Sequence, residues 1–334
     1  MPQFRIPGPL RRLSNGELTV AVEAGDLRSA VEELERKHPG FKERLLDDQG
    51  EVRQFVNIFL NDEDVRLGEG LDARLKPSDE ISIVPAVAGG CHPEVAEGGE
   101  APPVARREVR AGDVPALYCT PQVDSGAAVL IAHDIYGRSP FYENLAARLA
   151  TAGFRALLPD LFHREGPLVE RTREAAMERM GRSDRSRWLP DLQAALRWLR
   201  SEGSGGRVGT VGFCMGGTLV LRLAAADDDL ATVCYYGFPA QLAADEADRI
   251  AGPLLGFWGD QDEGVGMENV GRLDAALTRR GIEHEFEIYP GLGHGFLSRS
   301  ELDPGNPMYQ PACDSWTRAI QFYRENLREP AAVR

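Results

Sequence analysis

Long apolar runs are missing from the sequence. No stretch of its 334 residues approaches the roughly 20 consecutive apolar residues that a membrane helix requires, which argues against a role in a bilayer. The N-terminal stretch MPQFRIPGPLRRLS also lacks the apolar core and the small-residue cleavage site of a secretory signal. We therefore expect a cytoplasmic protein.

Basic charge and closely spaced cysteines are scarce as well. The chain carries 38 Lys and Arg against 52 Asp and Glu, a net charge of -14, so we expect neither nucleic acid nor an anionic membrane as a partner. Its 5 cysteines include no CxxC pair of the kind that zinc and redox sites use. The sequence therefore indicates free thiols, no metal site and no cofactor.

One segment contains little that could form a core. Residues 89–105 read GGCHPEVAEGGEAPPVA, a composition that is typical of a linker. The length of the chain independently favours two domains. We therefore predict a first domain over residues 1–90, a linker over residues 91–105 and a second domain over residues 106–334.

The first domain combines strand and helix patterns. The stretches ELTVAVEAG, RQFVNIFLN and EISIVPAV have the composition of strands. Between the first two, apolar residues follow the spacing of one helix face: Leu27, Ala30, Val31 and Leu34. Asp26 precedes them as a candidate N-cap. This order predicts a small α+β sheet with one helix on one face.

The second domain has a different pattern. Short apolar runs rich in Val, Ile and Leu occur in the order AAVLIAHDI, FRALLPD, RVGTVGF, LATVCYYG, PLLGFWGD and HEFEIYPG. Helix-like segments such as FYENLAARLATAG, RSRWLPDLQAALRWLRSEG and NVGRLDAALTRRG separate them. Apolar strands that alternate with amphipathic helices are typical of a parallel sheet covered on both faces, so we predict an α/β fold.

The stretch GTVGFCMGG places a cysteine where a strand passes into a helix. Cys214 stands between Gly212 and Gly216, the small-x-nucleophile-x-small pattern of a strained turn that presents a nucleophile. In such a turn the Met215 N–H helps to stabilise an oxyanion, and the helix N-terminus is expected to lower the pKa of the thiol. The alternative is a buried packing thiol, which we expect for Cys234.

On this kind of sheet the nucleophile is followed along the chain by an acid and then by a histidine. The stretch GFWGDQDEGV offers Asp260 and Asp262 after one strand, and IYPGLGHGF offers His294 after the last one. Taken singly, each fits an ordinary turn or loop residue. The order Cys214, Asp262, His294 nevertheless favours a triad, because ligands bind beyond the carboxyl ends of strands in an open α/β sheet.

Residues 106–328 resemble the dienelactone hydrolase family (carboxymethylenebutenolidases), α/β-hydrolases with a Cys-His-Asp triad. The matching stretches are VLIAHDIYG, ALLPDLFHREGP, VGFCMGG, CYYG, WGDQDEGV and GLGHGF. The resemblance implies hydrolysis of a small ester or lactone through a thioester acyl-enzyme. It implies these roles: Cys214 as nucleophile, His294 as base, Asp262 as the acid that orients the base, the Ile135 and Met215 amides as oxyanion hole, and Asp134 as the acid that holds the resting thiol.

The same resemblance implies a clamp for a substrate carboxylate. Arg173 matches one of the family's two arginines, and Tyr136 and Arg299 are the other candidate substrate-binding residues. The chain departs from the family at two positions. Met177 stands where the family has a tyrosine, and Ser298 stands where it has the second arginine. We therefore expect ester or lactone hydrolysis without assigning dienelactone as the substrate.

Residues 17–90 resemble the ubiquitin-like sulfur carriers of the MoaD and ThiS group, which have a β-grasp fold. The matching stretches are RQFVNIFLNDEDVRLGEGL and SDEISIVPAVAGG. In those carriers a C-terminal diglycine, a thin and flexible thread, is adenylated by an E1-like enzyme and converted to a thiocarboxylate. Here Gly89 and Gly90 are followed by Cys91, so the diglycine lies inside the chain.

The carrier resemblance implies an alternative function. The chain is then a sulfur-carrier precursor that a metalloprotease cuts after Gly90, and the hydrolase half is accessory. Two other interpretations stay open. Gly89 and Gly90 are ordinary linker glycines, or the β-grasp domain docks on the hydrolase domain or on a partner.

Overall fold

The computed structural model describes residues 1–6, 10, 13–46, 50–52, 56–61, 63–65, 70–85, 104–203, 207–299 and 306–327. The chain divides into two compact units, residues 1–91 and 92–334. Gly89, Gly90 and residues 91–103 of the predicted linker lie outside the described residues, and Ala105, its last residue, is the first residue of a strand. No helix within the described ranges is long and apolar enough to span a membrane.

The first unit is a β-grasp fold with a mixed sheet. Its strands are β1 (Gln3–Arg5), β2 (Thr19–Ala21), β3 (Val56–Leu60), β4 (Glu63–Asp64) and β5 (Glu80–Pro85), in the order β2-β1-β5-β3-β4. β1 is internal to the sheet, because it pairs with β2 on one side and in parallel with β5 on the other. The sequence predicted β2, β3 and β5 but neither β1 nor β4, whose 3 and 2 residues are too few to show alternation.

Helix α1 (Leu27–Lys37) begins where the sequence predicts, and a short helix, α2 (Lys42–Leu45), follows it. The Asp26 carboxylate accepts the Ser29 N–H at 2.8 Å, an N-cap bond that satisfies an amide at the start of the helix. The apolar face of α1 packs with residues of the sheet in one buried cluster that includes Leu27, Ala30, Val31, Leu34, Phe4, Ile58 and Ile81. The predicted helix face is therefore confirmed.

The second unit is an α/β-hydrolase fold. Its strands are β6 (Ala105–Ala111), β7 (Val114–Thr120), β8 (Ala128–Ala132), β9 (Arg155–Pro159), β10 (Val208–Phe213), β11 (Leu230–Tyr235), β12 (Leu254–Gly259) and β13 (His284–Tyr289). Its helices are α3 (Pro140–Thr151), α4 (Arg173–Arg182), α5 (Trp188–Ser201), α6 (Met215–Ala224), α7 (Met267–Arg280) and α8 (Tyr309–Asn326). The strand order is β13-β12-β11-β10-β8-β9-β7-β6.

Strands β8 to β13 are parallel and coincide with the six apolar runs that the sequence predicts as strands. All side chains of β8, β10, β11 and β12 are buried, as expected for a sheet that helices cover on both faces. β6 and β7 form an antiparallel hairpin that the sequence analysis missed. The predicted α/β class is correct, with this hairpin as an addition at one edge.

The strand order determines where a site can form. β8 lies between β9 and β10. The chain passes from β8 to β9 on one side and then crosses β8 to reach β10 on the other side, so the direction of the connections reverses at β8. Such a switch point opens a crevice beyond the carboxyl ends of the strands, where proteins with open α/β sheets bind ligands. The loops that follow β8 and β10 flank this crevice.

Candidate active site

Cys214 lies at the turn between β10 and α6 in a backbone conformation that few side chains adopt. Its φ and ψ are 55° and -115°, in the positive-φ range that favours glycine. The turn requires the two flanking glycines. A Cβ on Gly212 would overlap the Gly216 carbonyl, and a Cβ on Gly216 would overlap the Ala132 carbonyl. The pattern of small residues on both sides of the cysteine therefore has a steric cause.

Two backbone amides beside the thiol are available to a negatively charged oxygen. Met215 is the first residue of α6, so its N–H has no acceptor inside the helix. Ile135 lies in the loop after β8, and both residues line one cavity with Cys214. Among the described residues, no hydrogen bond from either amide to a protein oxygen is formed. Amides in this state are the donors from which oxyanion holes are built.

The thiol is held in its neutral form. Burial, followed by the negative charge of Asp134, raises the pKa of Cys214 to about 12. The Met215 N–H and the charge of Arg173 act in the opposite direction without reversing the shift. The Met215 N–H at the helix N-terminus therefore lowers the pKa of the thiol as expected, but the net shift is upward. The sequence around Cys214 does not show this net direction, because desolvation depends on everything that packs around the sulfur.

A histidine and a carboxylate meet beyond the ends of two other strands. His294 lies in the loop after β13, and its Nδ1 is 2.6 Å from Oδ2 of Asp262, in the loop after β12. Asp262 is buried, and its Oδ1 accepts the Val265 N–H at 3.3 Å. The other acid of that loop, Asp260, accepts the Gly291 N–H at 2.7 Å instead. Of the two acids that the sequence offers, Asp262 is the one in contact with the histidine.

The remaining nitrogen of His294 is uncommitted. Nε2 is buried and has no hydrogen-bond partner within the described part of the chain. The imidazole is confined by Tyr236 and Phe238, whose ring centroids lie 5.1 and 5.3 Å from its own. Because Asp262 engages Nδ1, the nitrogen left to exchange a proton is Nε2. His294 and Cys214 line the same cavity.

The loop after β8 supplies a buried carboxylate. Asp134 is 7% exposed, and its Oδ1 accepts the Tyr136 N–H at 2.8 Å. Burial raises the pKa of this carboxyl group. Asp134 and Cys214, which both belong to the described residues, form no hydrogen bond with each other. The carboxylate therefore affects the thiol through its charge.

Two residues that hold this loop were not singled out from the sequence. His133 is fully buried, with Nδ1 2.8 Å from the Asp134 carbonyl oxygen and Nε2 accepting the Leu161 N–H at 3.1 Å. Arg179 on α4 is buried too and donates to the Ile135 carbonyl at 3.0 Å. The His133–Leu161 and Arg179–Ile135 contacts join segments far apart in the sequence. The only sequence signal was the position of His133 directly before Asp134.

A cavity of about 730 Å³ brings the candidate residues together. Its wall includes Cys214, His294, Asp262, Asp134, Ile135 and Met215, and also the candidate substrate-binding residues Arg173, Tyr136 and Arg299. Met177 and Ser298 line it as well. In the described ranges no group of three or more His, Cys, Asp or Glu side chains is placed to hold a metal ion.

Family comparisons divide the chain in the same way as the structure. Residues 114–327 match the dienelactone hydrolase family, and residues 4–90 match the ThiS family. The carboxymethylenebutenolidase of Rhodococcus opacus is 32% identical over 223 residues, which cover 64% of this chain and 87% of that protein.

Solved structures give the same fold for the second unit. The structure named m3DLH is 25% identical, with a TM-score of 0.57 over 67% of this chain and 98% of its own. The dienelactone hydrolase of Anabaena variabilis is 22% identical, with a TM-score of 0.50 over 69% of this chain and 100% of its own. The second of these likenesses concerns the fold alone.

Proposed function

The chain belongs to the dienelactone hydrolase family, and from this premise we propose that it hydrolyses a small ester or lactone with Cys214 as nucleophile, His294 as base and Asp262 as the acid that orients the base. One observation carries the proposal. The strained turn of Cys214 lines the same cavity as a histidine whose Nδ1 contacts a buried carboxylate at 2.6 Å and whose Nε2 has no partner among the described residues.

The first half of the reaction forms a thioester. The Cys214 proton passes to His294 Nε2 as Sγ attacks the substrate carbonyl carbon, and the carbonyl oxygen becomes an oxyanion that accepts from the Ile135 and Met215 N–H groups. The carbon–oxygen bond of the ester then breaks, and His294 returns the proton to the leaving alkoxide oxygen. For a lactone, that hydroxyl stays attached to the acyl group.

The second half of the reaction restores the thiol. His294 Nε2 takes a proton from a water molecule whose oxygen attacks the thioester carbon, and the oxyanion again accepts from the Ile135 and Met215 amides. The carbon–sulfur bond breaks, the sulfur leaves with the proton from His294, and a carboxylic acid is released. Asp262 stabilises the transient imidazolium in both halves through its contact with Nδ1.

The raised thiol pKa is part of the proposal. With a pKa of about 12, the Cys214 thiol is protonated at neutral pH, so the nucleophile forms only as His294 removes the proton during attack. We propose Asp134 as the acid that keeps the thiol neutral at rest, through its negative charge. An enzyme of this kind is protected from oxidation and alkylation between turnovers, because the thiolate is the reactive form.

The substrate is proposed to carry a negative charge. Arg173 and Arg299 line the cavity and add positive charge to its wall, and both residues are exposed. Tyr136 lines the same wall. An arginine pairs well with a carboxylate because its planar donors match the two oxygens. Met177 and Ser298 remove a phenol and a cation from the family's clamp, so we expect weaker selection for a compact lactone that carries a carboxylate.

The test is the substitution Cys214→Ala. We expect kcat/KM for an activated ester such as p-nitrophenyl acetate to fall at least about 10⁴-fold, because no other group of the triad can attack the carbonyl. The matched control is Cys119→Ala, which removes another buried thiol, one whose pKa burial raises to about 11. Unchanged turnover by the Cys214 variant, with the Cys119 variant also active, would refute the assignment.

We propose a second function for the first unit, as a sulfur carrier released from a precursor. The observation that favours it is the ThiS match over residues 4–90, which ends at the second glycine of the Gly89-Gly90 pair. Cleavage after Gly90 would create the free carboxylate that an E1-like enzyme adenylates in such carriers. A metalloprotease is the proposed cleaving enzyme.

The carrier proposal is tested by mass. All chains that contain the first domain are isolated from the native cells, and their intact masses are measured. A fragment that ends at Gly90, with one oxygen replaced by sulfur when the E1-like enzyme is present, supports the carrier. Native cells that contain only the uncut chain would contradict it. The hydrolase proposal is unaffected by either result, because residues 106–334 hold its whole site.

A further inference from the structure

We propose that His133 is a positioning residue for the oxyanion hole: its neutral imidazole holds the peptide between Asp134 and Ile135 and thereby aims the Ile135 N–H into the cavity. This rests on the proposed function, because it requires the Ile135 amide to receive the oxyanion. His133 itself is fully buried and does not line the cavity, so it acts through the peptide and never touches substrate.

The hydrogen bonds of His133 fix its tautomer. The Leu161 N–H donates to Nε2 at 3.1 Å, so Nε2 carries no proton. The proton of a neutral ring is therefore on Nδ1, which donates it to the Asp134 carbonyl oxygen at 2.8 Å. That carbonyl and the Ile135 N–H belong to one planar trans peptide. Fixing the direction of the oxygen therefore fixes the opposite direction of the N–H.

The surroundings keep the ring neutral and in place. Burial lowers the pKa of His133, so the imidazole does not become a cation at neutral pH. The ring is stacked on Phe162, with centroids 5.6 Å apart and planes at 23°, and it also contacts Tyr142. A rigid donor to the carbonyl has a second effect. It polarises the peptide and makes the Ile135 N–H a stronger donor.

The next peptide of the loop is held from the other side. Arg179 donates from Nη2 to the Ile135 carbonyl at 3.0 Å and from Nη1 to the Gly166 carbonyl at 3.1 Å. Its guanidinium carbon lies 4.0 Å from the centre of the Phe162 ring. His133 and Arg179 thus fix the carbonyls on both sides of Ile135, and only the N–H between them is left for a ligand.

Two substitutions separate the two bonds of His133. In His133→Asn the amide nitrogen occupies the place of Nδ1, which keeps a donor for the Asp134 carbonyl and loses the acceptor for Leu161. In His133→Gln the amide reaches the place of Nε2, which keeps an acceptor for Leu161 and loses the donor. If His133 only supported the Leu161 segment, the Asn variant would be the more damaged of the two.

The proposal expects the opposite order. His133→Gln should lower kcat for ester hydrolysis by about 10- to 100-fold with KM changed little, less than the loss of an oxyanion donor itself. His133→Asn should stay within about threefold of the wild type, since its donor is retained. Equal losses in the two variants, or a larger loss in His133→Asn, would overturn the proposal.

A spectroscopic measurement removes the effect of partial unfolding. The enzyme is acylated with a cinnamoyl ester, and the thioester C=O stretch is measured, which reports hydrogen bonding at the oxyanion hole. The stretch should move to higher frequency in His133→Gln and stay near the wild-type value in His133→Asn. An unmoved stretch in both variants overturns the positioning role alone. Failure of the wild-type enzyme to acylate at Cys214 overturns the proposed function as well.

A third measurement uses the unmodified chain, in case neither variant folds. In protein labelled with ¹⁵N-histidine, His133 should show a protonated Nδ1 and an unprotonated Nε2. Formation of a hemithioacetal at Cys214 with an aldehyde inhibitor should shift the Nδ1–H resonance, because the two ends of the peptide are coupled. The opposite tautomer, or a resonance that the inhibitor leaves in place, would overturn the proposal.

Discussion

Two loops at the same edge of the hydrolase sheet each carry a histidine, and the two side chains are in opposite states. In the loop after β8, His133 is fully buried and both of its nitrogens are bonded to backbone groups. In the loop after β13, His294 has one nitrogen on Asp262 and the other without a partner among the described residues. A histidine can move a proton only if one nitrogen is free, so only His294 can serve as a base.

The two rings also differ in the groups that surround them. His294 is paired with a carboxylate, which stabilises an imidazolium when it forms. His133 is fully buried and accepts the Leu161 N–H at Nε2, and both features favour the neutral ring over the opposing effect of the Asp134 carbonyl. The same residue type therefore serves two purposes at one site. The two histidines differ in how many of their ring nitrogens are hydrogen-bonded to described residues.

The largest expected effect is on the free nitrogen. His294→Gln should lower kcat/KM for an activated ester by about 10⁴-fold or more, because the proton of Cys214 then has no acceptor. The measurement is steady-state hydrolysis at neutral pH. The control is His163→Gln, which removes a half-buried histidine that does not line the cavity. An active His294 variant would contradict the assignment of His294 as the base.

The next effect concerns the carboxylate partner of His294. Asp262→Asn should lower kcat by about 10³- to 10⁴-fold, because an amide favours the wrong tautomer and does not stabilise the imidazolium. Asp260→Asn is the matched control in the same loop, since the donors to Asp260 among the described residues are the Gly291 N–H and the Gln261 amide, away from His294. Comparable losses in the two variants would contradict the assignment of Asp262.

The loop after β8 also sets the reactivity of the thiol. With a Cys214 pKa of about 12, alkylation by iodoacetamide should be slow at pH 7 and rise about tenfold per pH unit up to pH 10. Asp134→Asn removes a negative charge that raises this pKa, so the pKa falls and alkylation at pH 8 should become faster, by about tenfold. Glu263→Gln, also in the cavity wall, is the control. Slower alkylation of the Asp134 variant would contradict the predicted direction of the pKa shift.

The smallest expected effect is at Arg179. Arg179→Met keeps the apolar contact with Phe162 and loses the donors to the Ile135 and Gly166 carbonyls, so kcat should fall by about three- to tenfold with KM little changed. Arg182→Met, on the exposed end of the same helix, should be neutral. The two are compared by steady-state kinetics. A loss confined to KM would mean that Arg179 acts on substrate binding instead.

The sequence predicted those strands and helices that are long enough to show a hydrophobic pattern or that begin with a capping residue. The six parallel strands and the cap of α1 at Asp26 follow from hydrophobic runs and from one capping residue. β1 was missed because its 3 residues show no period, although it pairs with two other strands. The hairpin β6–β7 was missed because the side chains of β6 are mostly exposed. The glycine at its turn, Gly112, which takes a φ of 66°, was a usable signal in the sequence.

The site was predictable where it depends on one short stretch or on order along the chain. Gly212 and Gly216 revealed the turn at Cys214, and the order of acid and histidine pointed to Asp262 and His294. The sequence analysis chose Asp262 over Asp260, and in the folded loop Asp262 is the acid whose carboxylate contacts His294. The net upward shift of the thiol pKa was not predicted, because desolvation depends on what packs around the sulfur and cannot be read from its neighbours in sequence.

The most direct test of the account is to identify the residue that carries the acyl group. The enzyme is mixed with a slowly hydrolysed ester, quenched in acid during turnover and digested, and the peptides are weighed. We predict the acyl mass on the peptide that contains Cys214, removable by neutral hydroxylamine as a thioester. Steady turnover with that peptide unmodified, or with the acyl group on any other residue, would contradict the central claim.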